Sequence, residues 1–280
     1  MCSSDLNVLD IITPVIDKIF TNISVQYGLE PIQMSTVIKT KRGFYEDISD
    51  LNGIAIPCIY YDYINRYKIT DNDIDLDVPS VLCEMIQESI ADIKPNKHMY
   101  LRKIVESMSE DCDTIEEYLY KANICVSLNE KIYSKLKQID KDEYNWLDSD
   151  LVNICIERMN AVIGKELDNE TYFEELIIQS SDDDSHSNID RALYGKIGVD
   201  NTLYRFTARV DLITQSSCWE LKCTSQITID HFLQVVIYAW LWSLTNEESR
   251  DFKIFNIKTG EVWILNSSQE EDRKSTRLNS

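Results

Sequence analysis

The sequence predicts an α+β protein in which a mostly helical region is followed by a mixed α/β core. Apolar residues recur at helical spacing through most of the first 165 residues, whereas alternation of apolar and polar residues begins near Tyr172. An apolar content of 44% is enough for one large or two smaller hydrophobic cores. We therefore expect a mostly helical accessory region at 7–165 and a core domain at 166–271.

Helical spacing in the first region predicts helices at 8–27, 79–93, 99–108, 113–122, 130–139 and 150–163. Pro14 perturbs the first of these helices, and Pro79 lies at the start of the second, where proline is tolerated. Two short extended segments, at 36–40 and 54–61, are predicted around a turn at residues 50–53.

The second region is predicted to consist of strands and one long helix. Strands are predicted at 172–179, 204–212 and 218–223, a loop at 181–188, a helix at 229–244, and a final strand pair at 252–257 and 261–266. The final pair is joined by a Lys-Thr-Gly turn that ends at Gly260.

Two of these strands carry a set of charged side chains. Alternation in the first strand places Asp211 on its polar face, and alternation in the next makes Glu220 and Lys222 point the same way. Trp219 and Leu221 then point into packing. A hairpin would bring Asp211 and Glu220 side by side.

Two adjoining carboxylates form a hard, oxygen-rich site that suits Mg²⁺ or Mn²⁺. Lys222 on the same face could hold an attacking water or stabilise charge that develops on a phosphate. On the following helix, Gln234 and Tyr238 are neighbours at i and i+4. His231 lies one turn earlier, and we expect it to be structural or DNA-facing rather than a metal ligand.

The series Asp211, Glu220-x-Lys222 and Gln234-x-x-x-Tyr238 resembles the PD-(D/E)XK nuclease superfamily, in particular its RecB-like branch. The resemblance covers roughly residues 172–265 and implies a restriction-endonuclease-like mixed sheet flanked by helices. It implies that Asp211, Glu220 and the Leu221 backbone carbonyl hold the metal. Ala208 stands where the family often has glycine.

The same resemblance assigns roles to the remaining motif residues. Lys222 matches the catalytic lysine, and Gln234 and Tyr238 match residues that position the site and the DNA. The family's acidic or histidine residue on the first helix has no firm match; Glu174, Glu175 and Glu157 are candidates, and we rank Glu174 first as a further metal ligand.

The function expected from this resemblance is Mg²⁺- or Mn²⁺-dependent hydrolysis of DNA, as an exonuclease or endonuclease, in recombination, repair or end processing. A fused or associated helicase is an expected partner, because the branch often carries one. Three alternatives stay open. They are a catalytically silent nuclease-fold module for DNA binding or scaffolding, a nuclease acting on RNA, and a plain β-hairpin with surface charges beside a core helix.

The charge, the cysteine content and the apolar runs of the chain limit which of these functions are expected. The chain has 28 basic and 48 acidic residues, a net charge of −20, whereas a protein that grips DNA by charge alone would be basic. We therefore expect the chain by itself to bind DNA weakly. Its eight cysteines form no Cys-x-x-Cys pair, which predicts a reducing intracellular compartment rather than a zinc site or disulfide scaffold. The apolar run at 232–244 is too short to span a membrane.

The two ends of the chain suggest an artefact. Residues 1–6 and 272–280 can be encoded by opposite strands of a single sequencing-adapter oligonucleotide, so we exclude both from fold reasoning. We expect residues 7–271 to be an internal fragment of a longer protein.

Overall fold

The computed structural model describes residues 15–68, 79–91, 93, 99–130, 133–178, 208–246 and 248–266. In these ranges the protein is α+β, with a six-stranded mixed sheet, a two-stranded hairpin and helices. Both terminal peptides, the predicted loop at 181–188 and the first four residues of the strand predicted at 204–212 lie outside the described residues.

Helices dominate the first part of the chain. After helical residues 15–19, the α-helices are α1 (Ser49–Lys68), α2 (Val81–Ala91), α3 (Met99–Glu106), α4 (Ile115–Glu130), α5 (Ser134–Gln138) and α6 (Ser149–Ile163). Short 3₁₀ turns lie at Ser24–Gln26, Lys141–Glu143 and Gly164–Glu166. Asp148 caps α6 by accepting a hydrogen bond from the Leu151 amide at 2.7 Å, which satisfies one of the free donors of the first turn.

The large sheet contains β1 (Phe20–Asn22), β4 (Tyr172–Ile178), β5 (Ala208–Ile213), β6 (Ser217–Lys222), β7 (Asp251–Asn256) and β8 (Val262–Leu265). Its strand order is β1-β8-β7-β6-β5-β4, and the two strands of the separate hairpin are β2 (Val37–Lys39) and β3 (Tyr45–Asp47). Only the β6–β7 pair is parallel among the described pairs of the large sheet, and helix α7 (Ile229–Thr245) connects these strands. A parallel pair needs such a crossover.

The turn between β7 and β8 requires glycine. Gly260 has a φ of +81°, and a Cβ there would lie 2.7 Å from the Leu29 carbonyl oxygen. The residue therefore allows both the left-handed backbone and the close approach of a neighbouring loop.

Hydrophobic residues cover both faces of the large sheet. One buried cluster joins the helical region to Leu212, Trp219, Leu221 and Phe255 of the sheet. A second cluster joins α7 to the opposite face, where Phe232 of the helix packs in a group with Val210 and Ile254. The sheet is thus held between the helical region and α7, and among the described residues no helix is long and apolar enough to cross a membrane.

Several elements lie where the sequence predicts them, including α2, α3, α6, β2, β6 and α7. The predicted helix at 8–27 is wrong beyond residue 19, because the chain turns into β1 and pairs with β8. The predicted strand at 54–61 and the turn at 50–53 are also wrong, since both lie in α1. The helix predicted at 130–139 is shorter than expected, with α5 at Ser134–Gln138.

The hydrophobic pattern of the sequence does not predict helix α1, because the helix is buried on almost all sides. Ala55, Ile56, Cys58, Tyr60 and Tyr61 are all fully buried, so no polar stripe marks its outer face. Its β-branched and aromatic residues favour a strand locally, and tertiary packing overrides that preference. The division of the chain at residue 165 stays a prediction.

Candidate functional site

The candidate site lies where β5 and β6 run side by side. Leu212 of β5 pairs with Trp219 of β6, so that Asp211 and Glu220 lie next to this pair on neighbouring strands. The predicted hairpin is present and brings the two carboxylates together. Trp219 and Leu221 are buried, as their alternation predicts.

Asp211 is held at both its side chain and its main chain. Its Oδ2 accepts a hydrogen bond from the Leu221 amide at 2.6 Å, which ties the carboxylate to β6. Its carbonyl oxygen accepts a hydrogen bond from the Tyr61 hydroxyl at 2.9 Å. Tyr61 is itself fixed by stacking on Phe173, with ring centroids 4.4 Å apart. The fully buried Tyr61 thus fixes the Asp211 backbone from the helical region.

Glu220 is 2% exposed and lies in the interior of the sheet. Its Oε1 forms an ion pair with the Lys222 ammonium. Its Oε2 is also buried and has no hydrogen-bond partner among the described residues. Leaving a buried carboxyl oxygen unpaired costs free energy, so a group that binds this atom would stabilise the site.

A chain of hydrogen bonds leads from Lys222 to α7. The Lys222 ammonium donates to Gln234 Oε1 at 3.2 Å, and Gln234 Nε2 donates to the Tyr238 hydroxyl at 2.6 Å. Gln234 and Tyr238 are therefore neighbours on one face of the helix, as their i, i+4 spacing predicts. The geometry fixes the orientation of the lysine through two further side chains.

His231 has a structural role at the start of the same helix. Its Nδ1 accepts a hydrogen bond from the Thr228 amide at 3.1 Å, and the two residues form a reciprocal capping box. Burial lowers the pKa of His231, and the charge of Lys222 lowers it further. A neutral, capping imidazole agrees with the expectation that this histidine is structural.

The first-ranked further acid, Glu174, lies on β4 with a φ of +53° and a half-buried side chain. Its carbonyl accepts a hydrogen bond from Arg209 at 2.9 Å, and Arg209 also pairs with Glu88 of α2 at 2.7 Å. Glu157 is exposed on α6, and the side chain of Glu175 lies outside the described residues. Of Glu174 and Glu157, whose side chains the structure describes, Glu174 is the one that is connected electrostatically to the site.

The pKa values of the acids show this electrostatic coupling. Burial, followed by the charge of Asp211, raises the pKa of Glu220 to about 8, although Lys222 opposes the rise. Burial also raises the pKa of Asp211, against the effects of Lys222 and the Leu221 amide. Burial and the charges of Asp211 and Glu220 raise the pKa of Glu174 well above its ordinary value. In this poorly solvated cluster the acids therefore favour their neutral forms unless a cation compensates their charge.

The lysine responds in the opposite way. Burial lowers the pKa of Lys222, but Glu220 and Asp211 outweigh burial, and the pKa lies above its ordinary value. Asp50, in the first turn of α1, adds to this effect. The ammonium therefore stays charged at neutral pH, which suits a group that faces a phosphate.

Sequence reasoning missed the contributions of Tyr61, Asp50 and Arg209. All three depend on contacts between residues distant in the chain, and Tyr61 and Asp50 belong to a helix that local patterns predict as a strand and a turn. The pairing of an Arg with an acid more than a hundred positions away leaves no short-range signal in one sequence.

Two further features of the site are its possible metal ligands and a nearby groove. Among the described residues, no group of three or more His, Cys, Asp and Glu side chains is arranged to hold a metal ion. The pairing of β5 with β6 brings together the two carboxyl groups of Asp211 and Glu220. A groove of about 250 Å³ adjoins the site and is lined in part by Gln234, Tyr238 and Ala208. Leu233 and Ile237, both about half exposed, also line it.

Comparisons of the chain with protein-family models, with curated proteins and with solved structures found no match.

Proposed function

We propose that the chain is a metal-dependent nuclease that hydrolyses DNA phosphodiester bonds. The observation that carries the proposal is the buried Glu220, which keeps one carboxylate oxygen unpartnered among the described residues beside a second carboxylate, Asp211. An ordered lysine, Lys222, lies on the same strand. A buried polar atom without a hydrogen-bond partner is a candidate position for a bound ion or water.

The donor set fits a hard divalent cation. Asp211 and Glu220 supply carboxylate oxygens, and the Leu221 carbonyl is the backbone ligand that the family resemblance implies. Mg²⁺ is commonly bound through one or two carboxylates while it keeps several waters, so two side-chain ligands are enough. When bound, Mg²⁺ or Mn²⁺ would supply Lewis-acid polarisation of the phosphate. Glu174 remains a candidate further ligand.

Lys222 has the position and charge needed for the chemical step. Its ammonium can hold a water for in-line attack and can stabilise the negative charge that develops on the phosphate. Gln234 accepts from the lysine and donates to Tyr238, so that the ammonium is held in one orientation. Oriented groups lower the barrier because little reorganisation is needed during the reaction.

The architecture supports a restriction-endonuclease-like core of the RecB-like kind. The motif carboxylates lie on adjoining strands, the Gln-Tyr helix follows directly, and helices cover both faces of the mixed sheet. A role in recombination, repair or end processing, and a helicase partner, rest on the family resemblance. The net charge of −20 favours a partner that delivers the nucleic acid.

Two other functions share this geometry. A catalytically silent nuclease-fold module would use the fold for DNA binding or scaffolding, and an RNA nuclease would use the same residues on another substrate. The presence of Asp211, Glu220 and Lys222 together favours catalysis over a silent module. The substrate that the chain prefers, DNA or RNA, distinguishes the proposed function from an RNA nuclease.

Cleavage assays test the proposal directly. The purified chain is incubated with labelled single-stranded, double-stranded and end-blocked DNA, and with RNA, in Mg²⁺, in Mn²⁺ and in EDTA. We expect cleavage of DNA that requires the cation and is lost in Asp211→Asn. Absence of cleavage under all cation conditions would favour the silent module, and preferential cleavage of RNA would reassign the substrate.

A further inference from the structure

A buried arginine of the helical region reaches the end of the parallel strand pair. Arg158 of α6 is 6% exposed, and its Nε donates a hydrogen bond to the Ile257 carbonyl at 2.8 Å. Its Nη1 donates to the Glu30 carbonyl at 2.6 Å. Ile257 directly follows β7, and Glu30 lies between β1 and β2. The guanidinium therefore joins α6 to two segments that are distant from it in the chain.

The residue that Arg158 holds also bonds to the strand that carries Lys222. Lys222 is the last residue of β6, and its carbonyl oxygen accepts a hydrogen bond from the Ile257 amide at 2.7 Å. Ile257 thus contacts Arg158 through its carbonyl and Lys222 through its amide. Because the Lys222 side chain starts from this backbone, the position of its ammonium depends on where Arg158 holds Ile257.

The charge of Arg158 has no acidic partner among the described residues. None of their ion pairs includes this side chain, and its Nη2 is buried without a hydrogen-bond partner. A Cβ at Gly260 would lie 2.9 Å from Nη2, so the turn between β7 and β8 packs directly against the guanidinium. Burial lowers the pKa of Arg158, although Cys155 opposes the shift. Burying an uncompensated cation costs free energy, and methionine in its place would remove that cost together with the two bonds.

The strand that carries Asp211 is held from the helical region by a tyrosine. The Tyr61 hydroxyl of α1 donates to the Asp211 carbonyl at 2.9 Å, and the side chain is fully buried. Leu212, the next residue of β5, lies in the same buried cluster as Tyr61. The backbone from which the Asp211 carboxyl group projects is therefore fixed by a residue 150 positions away.

We propose that Arg158 and Tyr61 are positioning residues of the candidate site, in which Arg158 places Lys222 through Ile257 and Tyr61 places Asp211. This inference rests on the proposed nuclease function. The helical region then forms part of the active site, because it holds both strands that carry the reacting groups.

Tyr60 offers a matched control for Tyr61. It is the preceding residue and is also fully buried, but its hydroxyl has no hydrogen-bond partner among the described residues. Tyr60→Phe removes a buried hydroxyl and no bond, whereas Tyr61→Phe removes the bond to Asp211. The two variants therefore separate the loss of a buried hydroxyl from the loss of a contact with the site.

Lys121 offers a matched control for Arg158. This lysine of α4 is 3% exposed, and its ammonium donates to the carbonyl oxygens of Ser109, at 3.0 Å, and Asp111. It also donates to the Cys83 sulfur at 3.4 Å. Both side chains are buried cations that bind main-chain carbonyls, but these partners of Lys121 all lie within the helical region.

The first experiment measures Mn²⁺ affinity by electron paramagnetic resonance and kcat for DNA cleavage, with the full chain of each variant. Tyr61→Phe should weaken Mn²⁺ binding by roughly tenfold, because it loosens the residue that supplies a metal ligand. Arg158→Met should keep the Mn²⁺ affinity and lower kcat by about tenfold, because it displaces the lysine rather than the carboxyl groups. Arg158→Lys should recover part of kcat, since an ammonium can still donate to one of the two carbonyls.

Both controls should keep the wild-type Mn²⁺ affinity and kcat at a temperature where circular dichroism shows them folded. The proposal is overturned if Tyr60→Phe loses as much Mn²⁺ affinity as Tyr61→Phe, or if Lys121→Met loses as much kcat as Arg158→Met. It is also overturned if folded Tyr61→Phe binds Mn²⁺ as the wild type does, or if folded Arg158→Met keeps full kcat. Should Arg158→Met fail to fold, Arg158→Lys decides, with a lowered kcat at unchanged Mn²⁺ affinity as the expected result.

Amide hydrogen exchange tests the link from Arg158 to Lys222 without any measurement of activity. The Ile257 amide should exchange about tenfold faster in Arg158→Met than in the wild type and in Lys121→Met, because its segment loses a fixed contact. Equal protection in all three proteins would overturn the link. If the wild type cleaves no nucleic acid, the proposed function fails, and the exchange of Ile257 still decides whether Arg158 holds the end of β6.

Discussion

Two glutamate–lysine pairs, one within strand β6 and one next to it, differ in how many of their carboxylate oxygens have a hydrogen-bond partner. In the Glu166–Lys253 pair, Oε1 accepts from the Lys253 ammonium at 2.8 Å, and Oε2 accepts from the Trp219 indole at 3.0 Å. In the Glu220–Lys222 pair, Oε1 contacts the lysine, but Oε2 has no partner among the described residues. We call Glu166–Lys253 the closed pair, because both carboxylate oxygens have a partner, and Glu220–Lys222 the open pair, because one oxygen has none among the described residues.

The pKa values of the two glutamates shift in opposite directions. Burial raises the pKa of Glu166, but hydrogen bonds from Lys253, Ser217 and Trp219 outweigh burial, and the pKa lies below its ordinary value. Burial and Asp211 keep the pKa of Glu220 high, at about 8. The surroundings of Glu166 thus stabilise its ionised form, whereas those of Glu220 favour the neutral carboxyl, and a bound cation would favour its ionised form instead.

The largest expected difference between the pairs is in catalysis. Lys222→Ala should lower kcat for DNA cleavage by roughly 10²–10³, because it removes a charge that acts mainly in the transition state. Lys253→Ala, the matched control from the closed pair, should leave kcat unchanged at a temperature where it is folded. Near-full activity in Lys222→Ala would remove the basis for assigning this lysine to the reaction.

The effect of substitution on stability should be larger in the closed pair than in the open pair. Glu166→Gln should lower the free energy of unfolding by about 1–3 kcal/mol, because it weakens a satisfied pair and leaves Lys253 poorly compensated. Glu220→Gln should not lower it, since burial already disfavours the ionised carboxylate. Urea unfolding followed by circular dichroism measures both values, and a larger loss in Glu220→Gln would identify that pair as structural.

The side chains that orient Lys222 should have smaller effects. Gln234→Ala and Tyr238→Phe should each lower kcat by about tenfold, because they misplace the ammonium without removing it. Steady-state cleavage kinetics and circular dichroism are measured together. Unfolding of either variant, rather than slower cleavage by a folded one, would show that the helix face is only structural.

The smallest effect concerns pH and the closed pair. Because the pKa of Glu166 lies below its ordinary value of 4.5, its contribution to stability is present above that value and is lost as the pH falls through the folded pKa. The difference in unfolding free energy between the wild type and Glu166→Gln should therefore shrink on going from pH 6 to strongly acidic pH, by about 1 kcal/mol or less given its partial exposure. A difference independent of pH would contradict this assignment.

Alternation and helical spacing predict which side chains lie together at the candidate site. Asp211, Glu220 and Lys222 follow from period-2 strands, and Gln234 and Tyr238 follow from i, i+4 spacing, since both signals are local. All five contribute to the arrangement that the structure shows around β5, β6 and α7.

Contacts between distant segments explain what the sequence could not predict. Tyr61 lies in a helix buried all round, where no periodicity distinguishes helix from strand, and it reaches the Asp211 backbone across 150 positions. Glu166 owes its lowered pKa to Lys253, 87 positions away. The position of β1 in the sheet depends on pairing with β8, which helical spacing before residue 20 does not reveal.

Cation binding to the open pair tests the central claim most directly. Mn²⁺ is titrated into the wild type, Glu220→Gln and Glu166→Gln, and bound ion is measured by electron paramagnetic resonance. We expect the wild type and Glu166→Gln to bind Mn²⁺ alike, and Glu220→Gln to lose at least about tenfold in affinity because a hard ligand is removed. Equal binding by all three proteins, or loss of binding in Glu166→Gln alone, would contradict the claim that Glu220 and Asp211 form a metal site.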